Sequence, residues 1–349
     1  MKMKRNSSQN WKSPPIERKF LLGFWKEFVM NAKEELIEST ELPVETLQIM
    51  EETSRRGLTR RAFVQTGVLG LSGLALASCT RGIMARNDIE ITHRTFEIPN
   101  LPQSFHGKTV TFLSDIHSSP FMDLDELKHV VELVNGLKSD IIVMPGDFVT
   151  SHHNEVGPFV EAMSELQAPY GVYACTGNHD YYAGVDIVSK AVEDINFKLL
   201  RNENAKITIG GESLYFIGVD DDDSKSIKHF VEGKHAPHIE EAYRGVPENA
   251  ASILLCHKPY YFEDYAKTNV ALMLSGHTHG GQIVLGRIGR TVMTFCSLAS
   301  EYVDGIYLPR ESNSKTQMYV SRGIGVVGVP IRINCPPEIT QITLSRPLV

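Results

Sequence analysis

The chain has little cysteine and no paired cysteine motif. Five cysteines stand among 349 residues, and the absence of any Cys-x-x-Cys excludes a zinc knuckle and a redox dithiol. Cys175 and Cys256 close apolar strand-like runs and read as small core residues, so no disulfide framework is expected. A basic excess is also missing. The 35 Lys and Arg are outnumbered by 42 Asp and Glu, for a formal net charge of −7. That balance gives no general attraction to nucleic acid, and none is expected as a partner. Part of the negative charge is local, in the run Asp220 to Asp223, which reads as a solvated loop. No period of self-similarity is visible, which argues against a repeat fold.

Charge disappears altogether from residues 62–80. Arg60 and Arg61 stand just before this stretch, and small residues close it. That layout is an export signal. Thr59-Arg60-Arg61-Ala62-Phe63-Val64-Gln65 resembles the twin-arginine motif, with Val64 and Gln65 in place of the usual Leu and Lys. Leu76-Ala77-Ser78-Cys79 resembles a bacterial lipobox, in which the Cys is acylated after cleavage. Three outcomes stay open: lipidation at Cys79, cleavage without a lipid, or retention as a membrane anchor. Each expects export across the inner membrane by the twin-arginine machinery, to a periplasmic or extracellular face. Residues 54–80 are therefore assigned as the leader. Residues 1–53 carry Leu21, Phe24, Trp25, Phe28, Ala32 and Leu36 at helical spacing. They read as an amphipathic extension, or as an artefact if translation starts at Met50.

Beyond the leader, apolar strand-like runs alternate with helical ones. Strands are expected at Thr109 to Ser114, Ile141 to Met144, Val172 to Cys175, Leu214 to Val219, Ile253 to Cys256 and Val270 to Leu274. Helices are expected at Leu124 to Leu137, Phe159 to Leu166 and Val185 to Ile195. This alternation predicts a layered α/β domain over residues 90–345. Five of the strands end in polar clusters: Asp115-x-His117, Gly146-Asp147, Gly177-Asn178-His179-Asp180, His257, and Gly276-His277-x-His279-Gly280-Gly281. Loops at the carboxyl ends of strands are where open α/β sheets build their sites. Asp, His and Asn suit hard to borderline divalent cations. One cluster alone is an ordinary polar turn; five in order, each behind an apolar strand, point to one metal-binding cleft.

These clusters together resemble the signature of the calcineurin-like metallophosphoesterases. The tail Gly323-Ile324-Gly325, Pro330-Ile331-Arg332 and Pro337-Glu338, with Gly218-Val219-Asp220-Asp221, is similar to the bacterial membrane-associated branch. The resemblance implies a two-sheet mixed β-sandwich flanked by helices. It implies two divalent cations, the first on Asp115, His117 and His279, the second on Asn178, His257 and His277, with Asp147 bridging. It implies His179 as acid or transition-state donor, with Asp180 behind it to orient or charge the ring. The reaction implied is attack of a metal-activated water on a phosphoester. Thr150 stands where iron–zinc relatives carry Tyr, which argues against a tyrosinate-bound ferric ion. Mn²⁺ is favoured over Fe²⁺ or Zn²⁺, because a protein exported folded can load a weak binder in the cytoplasm.

Substrate is less legible. A phosphodiester or a pyrophosphate, lipid-linked in some relatives, is expected; a phosphomonoester or a non-catalytic scaffold is the alternative. Ser118 to Leu124 reads as a helix-entry loop or a cleft wall. Ser224 to Ala250, with His229, His235 and His238, reads as a cap. Tyr260 and Tyr261 read as core residues or as a stacking platform.

Overall fold

The computed structural model describes residue 85 and residues 87–221, 239–289, 291–294, 296–298, 300–310 and 314–347. Arg60, Arg61, Cys79, the extension 1–53, and Asp222, Asp223, His229, His235 and His238 lie outside them. Among the described residues, no helix is long and apolar enough to cross a membrane.

The first half runs β1 (Glu90–Glu97), β2 (Thr109–Phe112), α1 (Leu124–Gly136), β3 (Ile141–Pro145), α2 (Val156–Met163), β4 (Val172–Cys175), α3 (Asn178–Ala183), α4 (Val185–Asp194) and β5 (Lys198–Leu199). The second half runs β6 (Glu203–Ile209), β7 (Glu212–Gly218), α5 (Ile239–Ala242), β8 (Ser252–Leu255), α6 (Phe262–Tyr265) and β9 (Leu272–Ser275). It continues with β10 (Val284–Ile288), β11 (Thr291–Thr294), β12 (Gly305–Tyr307), β13 (Gln317–Val320) and β14 (Glu338–Ser345).

Two six-stranded mixed sheets form, ordered β1-β14-β2-β3-β4-β5 and β12-β13-β9-β8-β7-β6, with β10 and β11 as a separate hairpin. The expected sandwich is present, and burial explains it. Every residue of β3 is buried. Ile141 and Val143 face the second sheet, while Ile142 and Met144 face α1, α2 and α4. Strands covered on both faces read as unbroken apolar runs, and β8 and β9 behave alike: Ile253, Leu255, Leu272 and Leu274 point between the sheets, Leu254 and Met273 outward. Helix α1 buries Leu127, Val130, Val131 and Val134, and starts at a capping box between Asp123 and Glu126 that satisfies its first free N–H groups. Met122 joins the core just ahead of that cap, and Phe121 is exposed, so Ser118 to Leu124 enters the helix as its plainer reading expected.

Two expectations need correction. Helix α2 starts at Val156, ahead of the expected Phe159, and ends at Met163. Pro158 falls in its first turn, where a missing N–H costs nothing. Asp220 and Asp221 are buried rather than solvated. Asp220 accepts from Thr176 Oγ1 and, at 3.0 Å, from Arg201 Nε, and Asp221 pairs with Lys258 at 2.7 Å. Two counter-charges and one hydroxyl, from three separate segments, make that burial tolerable.

Glu338, on β14, stitches the two sheets at one end of the sandwich. Its carboxylate accepts from Thr92 Oγ1 at 2.7 Å, from Tyr319 Oη on β13 at 2.6 Å and from Arg322 Nε at 3.3 Å. Burial would raise this carboxyl; Arg322 and the two hydroxyls prevail and hold it below its ordinary value. A depressed folded-state value means stability present above the unfolded glutamate range and lost as pH falls through the folded value. Glu338→Ala is expected to cost about 1–3 kcal/mol by leaving the buried Tyr319 hydroxyl without its acceptor, while Arg322 keeps Glu90 as a partner at 2.8 Å. Urea unfolding at neutral pH checks this, and the gap from wild type should shrink on acidification. A loss below about 1 kcal/mol would place the stitch at the level of an exposed ion pair.

Candidate metal centre

The site is built at the carboxyl ends of β2, β3, β4, β8 and β9. At these ends the backbone takes the left-handed conformation, with φ of 52° at Asp115, 48° at His117, 56° at Asp147, 71° at His277 and 51° at His279. Non-glycine residues hold such angles at a cost of about 1–3 kcal/mol each, and only where the surroundings dictate them. The sharp turns aim side chains of alternate residues at one point.

Three ligand-like groups result, each with its donor atoms within 4.8 Å of one another: Asp115, His117 and His279; His117, Asp147 and His179; Asp147, His257 and His277. Asp147 joins them. Its Oδ2 lies 3.4 Å from His117 Nε2 and 3.1 Å from His257 Nε2. His279 Nε2 is 3.1 Å from His117 Nε2, and His277 Nδ1 is 3.2 Å from His257 Nε2. Asp115 Oδ1 reaches the same group at 3.6 Å from His279 Nε2.

The far ring nitrogens explain the aim. His257 Nδ1 faces the Pro145 carbonyl at 2.9 Å and His279 Nδ1 faces the Gly325 carbonyl at 3.3 Å. A carbonyl accepts only, so each Nδ1 carries the proton and Nε2 points into the centre as a donor atom for a cation. Nitrogens opposed at 3.1 Å need a proton or a cation between them, because two bare lone pairs repel. Asn178 Oδ1 is buried without a hydrogen-bond partner, a costly state for an amide oxygen that cation ligation removes. The donors are oxygen and imidazole nitrogen, so this set fits divalent cations such as Mn²⁺, Fe²⁺ or Zn²⁺.

One expected role is corrected. Asp180 does not orient the His179 ring. Its carboxylate accepts the backbone N–H groups of Asp147 at 3.0 Å, Phe148 at 2.9 Å and Gly177 at 2.8 Å. Three backbone donors take up a carboxylate lying at the N-terminal turn of α3 and point it away from the ring. His179 is held instead by the Thr150 carbonyl, 2.5 Å from its Nδ1. Thr150 is held in turn by Glu155, whose Oε2 accepts from the N–H groups of Thr150, Ser151 and His152 at 2.9, 2.8 and 3.0 Å. Reading the sequence, Thr150 was informative only as a missing Tyr, and Glu155 not at all; nothing in a lone Thr or Glu signals a tertiary brace.

Charge in the metal-free centre is finely opposed. Burial raises Asp115, and the neighbouring Asp147 adds to it. Burial pushes against Asp147 as well, but His257 and His117 overrule it and hold its carboxyl well below the usual range. Burial together with Asp147 lifts Asp180 to about 8. Burial lowers His277 and His279 strongly, helped by His257 and His117 respectively, which leaves them neutral as ligation requires. At the rim, the Tyr182 ring stands edge-on to His179 at 5.0 Å and the Tyr260 ring edge-on to His277 at 5.4 Å. Tyr261 packs instead toward Tyr265 beneath.

The sequence of residues 108–281 matches the family model of calcineurin-like phosphoesterases. The chain is 30% identical to the uncharacterized metallophosphoesterase YkuE of Bacillus subtilis, over 82% of this chain and 98% of that protein. It is 32% identical to a metallophosphoesterase of Aquifex aeolicus, over 74% of this chain and 92% of that one. It is 30% identical to a transmembrane protein with a metallophosphoesterase domain from Danio rerio, over 82% of this chain and 62% of the relative. The chain thus spans about three fifths of the length of that relative and of similar proteins from Helicobacter pylori and Bos taurus. Among solved structures, a dimetal phosphatase from Danio rerio superposes with a TM-score of 0.40 at 13% identity, over 68% of this chain and 99% of that one.

His257 generates a prediction. Burial opposes its charge, yet Asp147 prevails and lifts it to about 10. Below that value the metal-free pair is imidazolium and carboxylate, and an imidazolium cannot ligate. A cation must displace the proton, so affinity should rise with pH toward about 10 and fall about tenfold per unit below it. Calorimetric titration with Zn²⁺ at pH 7, in buffers of different ionisation enthalpy, should show at least one proton released per chain. Uptake without proton release would remove His257 from the ligand set.

Proposed function

The chain belongs to the calcineurin-like phosphoesterases, and on that premise we propose that it hydrolyses phosphoric esters with two divalent cations, cleaving a phosphodiester or pyrophosphate bond in an envelope or lipid-linked substrate. The observation that carries this is the single oxygen of Asp147 shared between His117 and His257. Asp115, His117 and His279 would hold one cation, and Asn178, His257 and His277 the other, with Asp147 common to both. Bound cations would supply an activated water and neutralise charge gathering on the phosphoryl oxygens.

His179 adds the proton. Its Nδ1 is committed to the Thr150 carbonyl, so only the imidazolium form carries a proton on Nε2 to give to a leaving oxygen. Burial lowers its pKa, with Asp147 opposing; the acid form is therefore scarce at neutral pH and strong when present. Asp180 keeps Asp147 in place rather than touching the substrate.

The leader motif supports an exported, membrane-attached protein, held through residues 54–80 or a lipid on Cys79. The Danio rerio relative is named a transmembrane protein, which agrees. Export in the folded state favours Mn²⁺, loaded in the cytoplasm away from tighter competitors. Replacing Arg60 and Arg61 by Lys should leave the protein in the cytoplasm, as fractionation would show; unchanged export would rule out the twin-arginine route.

Metal-stripped protein should regain cleavage of bis(p-nitrophenyl) phosphate when Mn²⁺ is restored, and prefer it to p-nitrophenyl phosphate. Preference for the monoester would favour the phosphomonoesterase reading. His179→Ala should cost about 10²–10⁴-fold with an alkyl leaving group, far less with p-nitrophenolate, which leaves without a proton, and metal content should stay at two. Equal losses on both substrates would remove the acid role.

A further inference from the structure

Arg332 is among the largest fully buried side chains of the described residues. Among the described residues no carboxylate forms an ion pair with it, and its oxygen partners are all backbone carbonyls. Nη2 donates to Gly325 O at 2.5 Å and Gly323 O at 3.1 Å, Nε to Gly325 O at 3.2 Å, and Nη1 to Cys335 O at 3.3 Å. A buried guanidinium without a counter-ion is costly. Packing alone would be served better by an apolar chain of similar volume. The planar fork, however, holds three carbonyls at once from three nitrogens in a fixed plane, a spread that the single nitrogen of a lysine cannot reproduce.

What the fork holds is the back wall of one half of the metal centre. Gly325 O is also the acceptor for His279 Nδ1. Gly325 N donates to Asp115 O at 2.7 Å and Ile324 N to Ser114 O at 3.0 Å. There is no slack in this contact: a Cβ on Gly323 would stand 2.7 Å from that of Asp115, and one on Gly325 would stand 2.8 Å from that of His117. Asp115, His117 and His279 therefore all rest on a segment clamped from behind by Arg332. His257 is braced elsewhere, by the Pro145 carbonyl.

We infer that Arg332 is a positioning residue for one cation only, the one on Asp115, His117 and His279, acting through the Gly323–Gly325 segment. This rests on the two-cation reading above. If wild-type protein binds no cation that reading fails first; this inference fails only when wild type binds two and the variants do not discriminate.

The test uses the full chain with Arg332→Lys, which keeps the buried charge but not the fork, and Arg332→Met, which keeps volume alone. Mn²⁺ and Zn²⁺ binding to stripped protein is measured by calorimetry and equilibrium dialysis, beside circular dichroism and thermal unfolding of the metal-free form. Wild type should bind two ions. In the Lys variant, one affinity should fall about 10–100-fold, as for loss of a group that orients a ligand, with the other unchanged. Turnover should drop at limiting metal and recover at saturating metal, a response that general destabilisation would not give. If Arg332→Met does not fold, Arg332→Lys decides. Equal weakening at both positions, no weakening at either, or loss of fold in both variants would overturn the inference and leave Arg332 as a packing residue.

Discussion

The metal centre depends on a carboxylate that need not touch a metal or a substrate. Asp180 gathers the N–H groups of Asp147 and Phe148, after β3, and of Gly177, after β4. Those N–H groups lie where the backbone leaves a ladder and has no partner of its own. Leaving them buried and unpaired would cost about 1–3 kcal/mol each. Tying them to one carboxylate fixes the loop that carries Asp147 against the loop that carries Asn178 and His179. The Asp147 side chain returns the tie, its Oδ1 accepting from His179 N at 2.8 Å. Two buried carboxylates thus lock two strand ends, and the second oxygen of Asp147 is left to face both His117 and His257.

Such a lock sets up an electrostatic debt in the metal-free protein. Asp115, Asp147 and Asp180 are all buried, and burial pushes each toward the neutral form. His257 and His117 more than offset this for Asp147, whereas Asp115 and Asp180 stay raised. The remainder is what divalent cations can settle more completely than protons, because one cation faces several donors at once. A centre of this kind is therefore more strained without its ions than with them, and the left-handed angles at five of its side chains are held against that strain by the surrounding packing.

The signature residues were readable because each is a polar residue directly after an apolar run. Strand burial on both faces writes Ile141 to Met144 and Ile253 to Cys256 as uninterrupted hydrophobic sequence, so the polar residues that follow stand out. The layered α/β fold followed from the same pattern, and the two-sheet sandwich from the resemblance that the pattern revealed. What stayed illegible is whatever acts through backbone. Asp180 looked like a partner for its neighbour His179, since adjacency in sequence suggests contact, but the first turn of α3 directs it to the N–H groups beneath. Thr150 acts through its carbonyl, which every residue has. Strand β1 pairs in parallel with β14 across nearly the whole chain, and its exposed polar residues Glu90, Arg94, Thr95 and Glu97 fall on both faces, which leaves no clean strand alternation to read. Asp220 and Asp221 look like solvated charge until Arg201, Thr176 and Lys258 are brought to them by the fold.

Both sheets contribute to each half of the centre. Asp115, His117, Asp147 and Asn178 follow strands of the first sheet, and His257, His277 and His279 follow strands of the second. Neither sheet alone presents a complete ligand set, so the centre exists only while the sandwich is closed. The apolar faces of Ile141, Val143, Ile253, Leu255, Leu272 and Leu274 supply that closure, and Glu338 and Arg332 brace polar positions along the same seam. Linkage then runs in both directions. Cations that bind only the closed form stabilise the docking of the sheets by a term that grows with the logarithm of their concentration. Whatever loosens the seam weakens ligation first, because ligands drawn from two sheets must keep their spacing to within a fraction of an ångström.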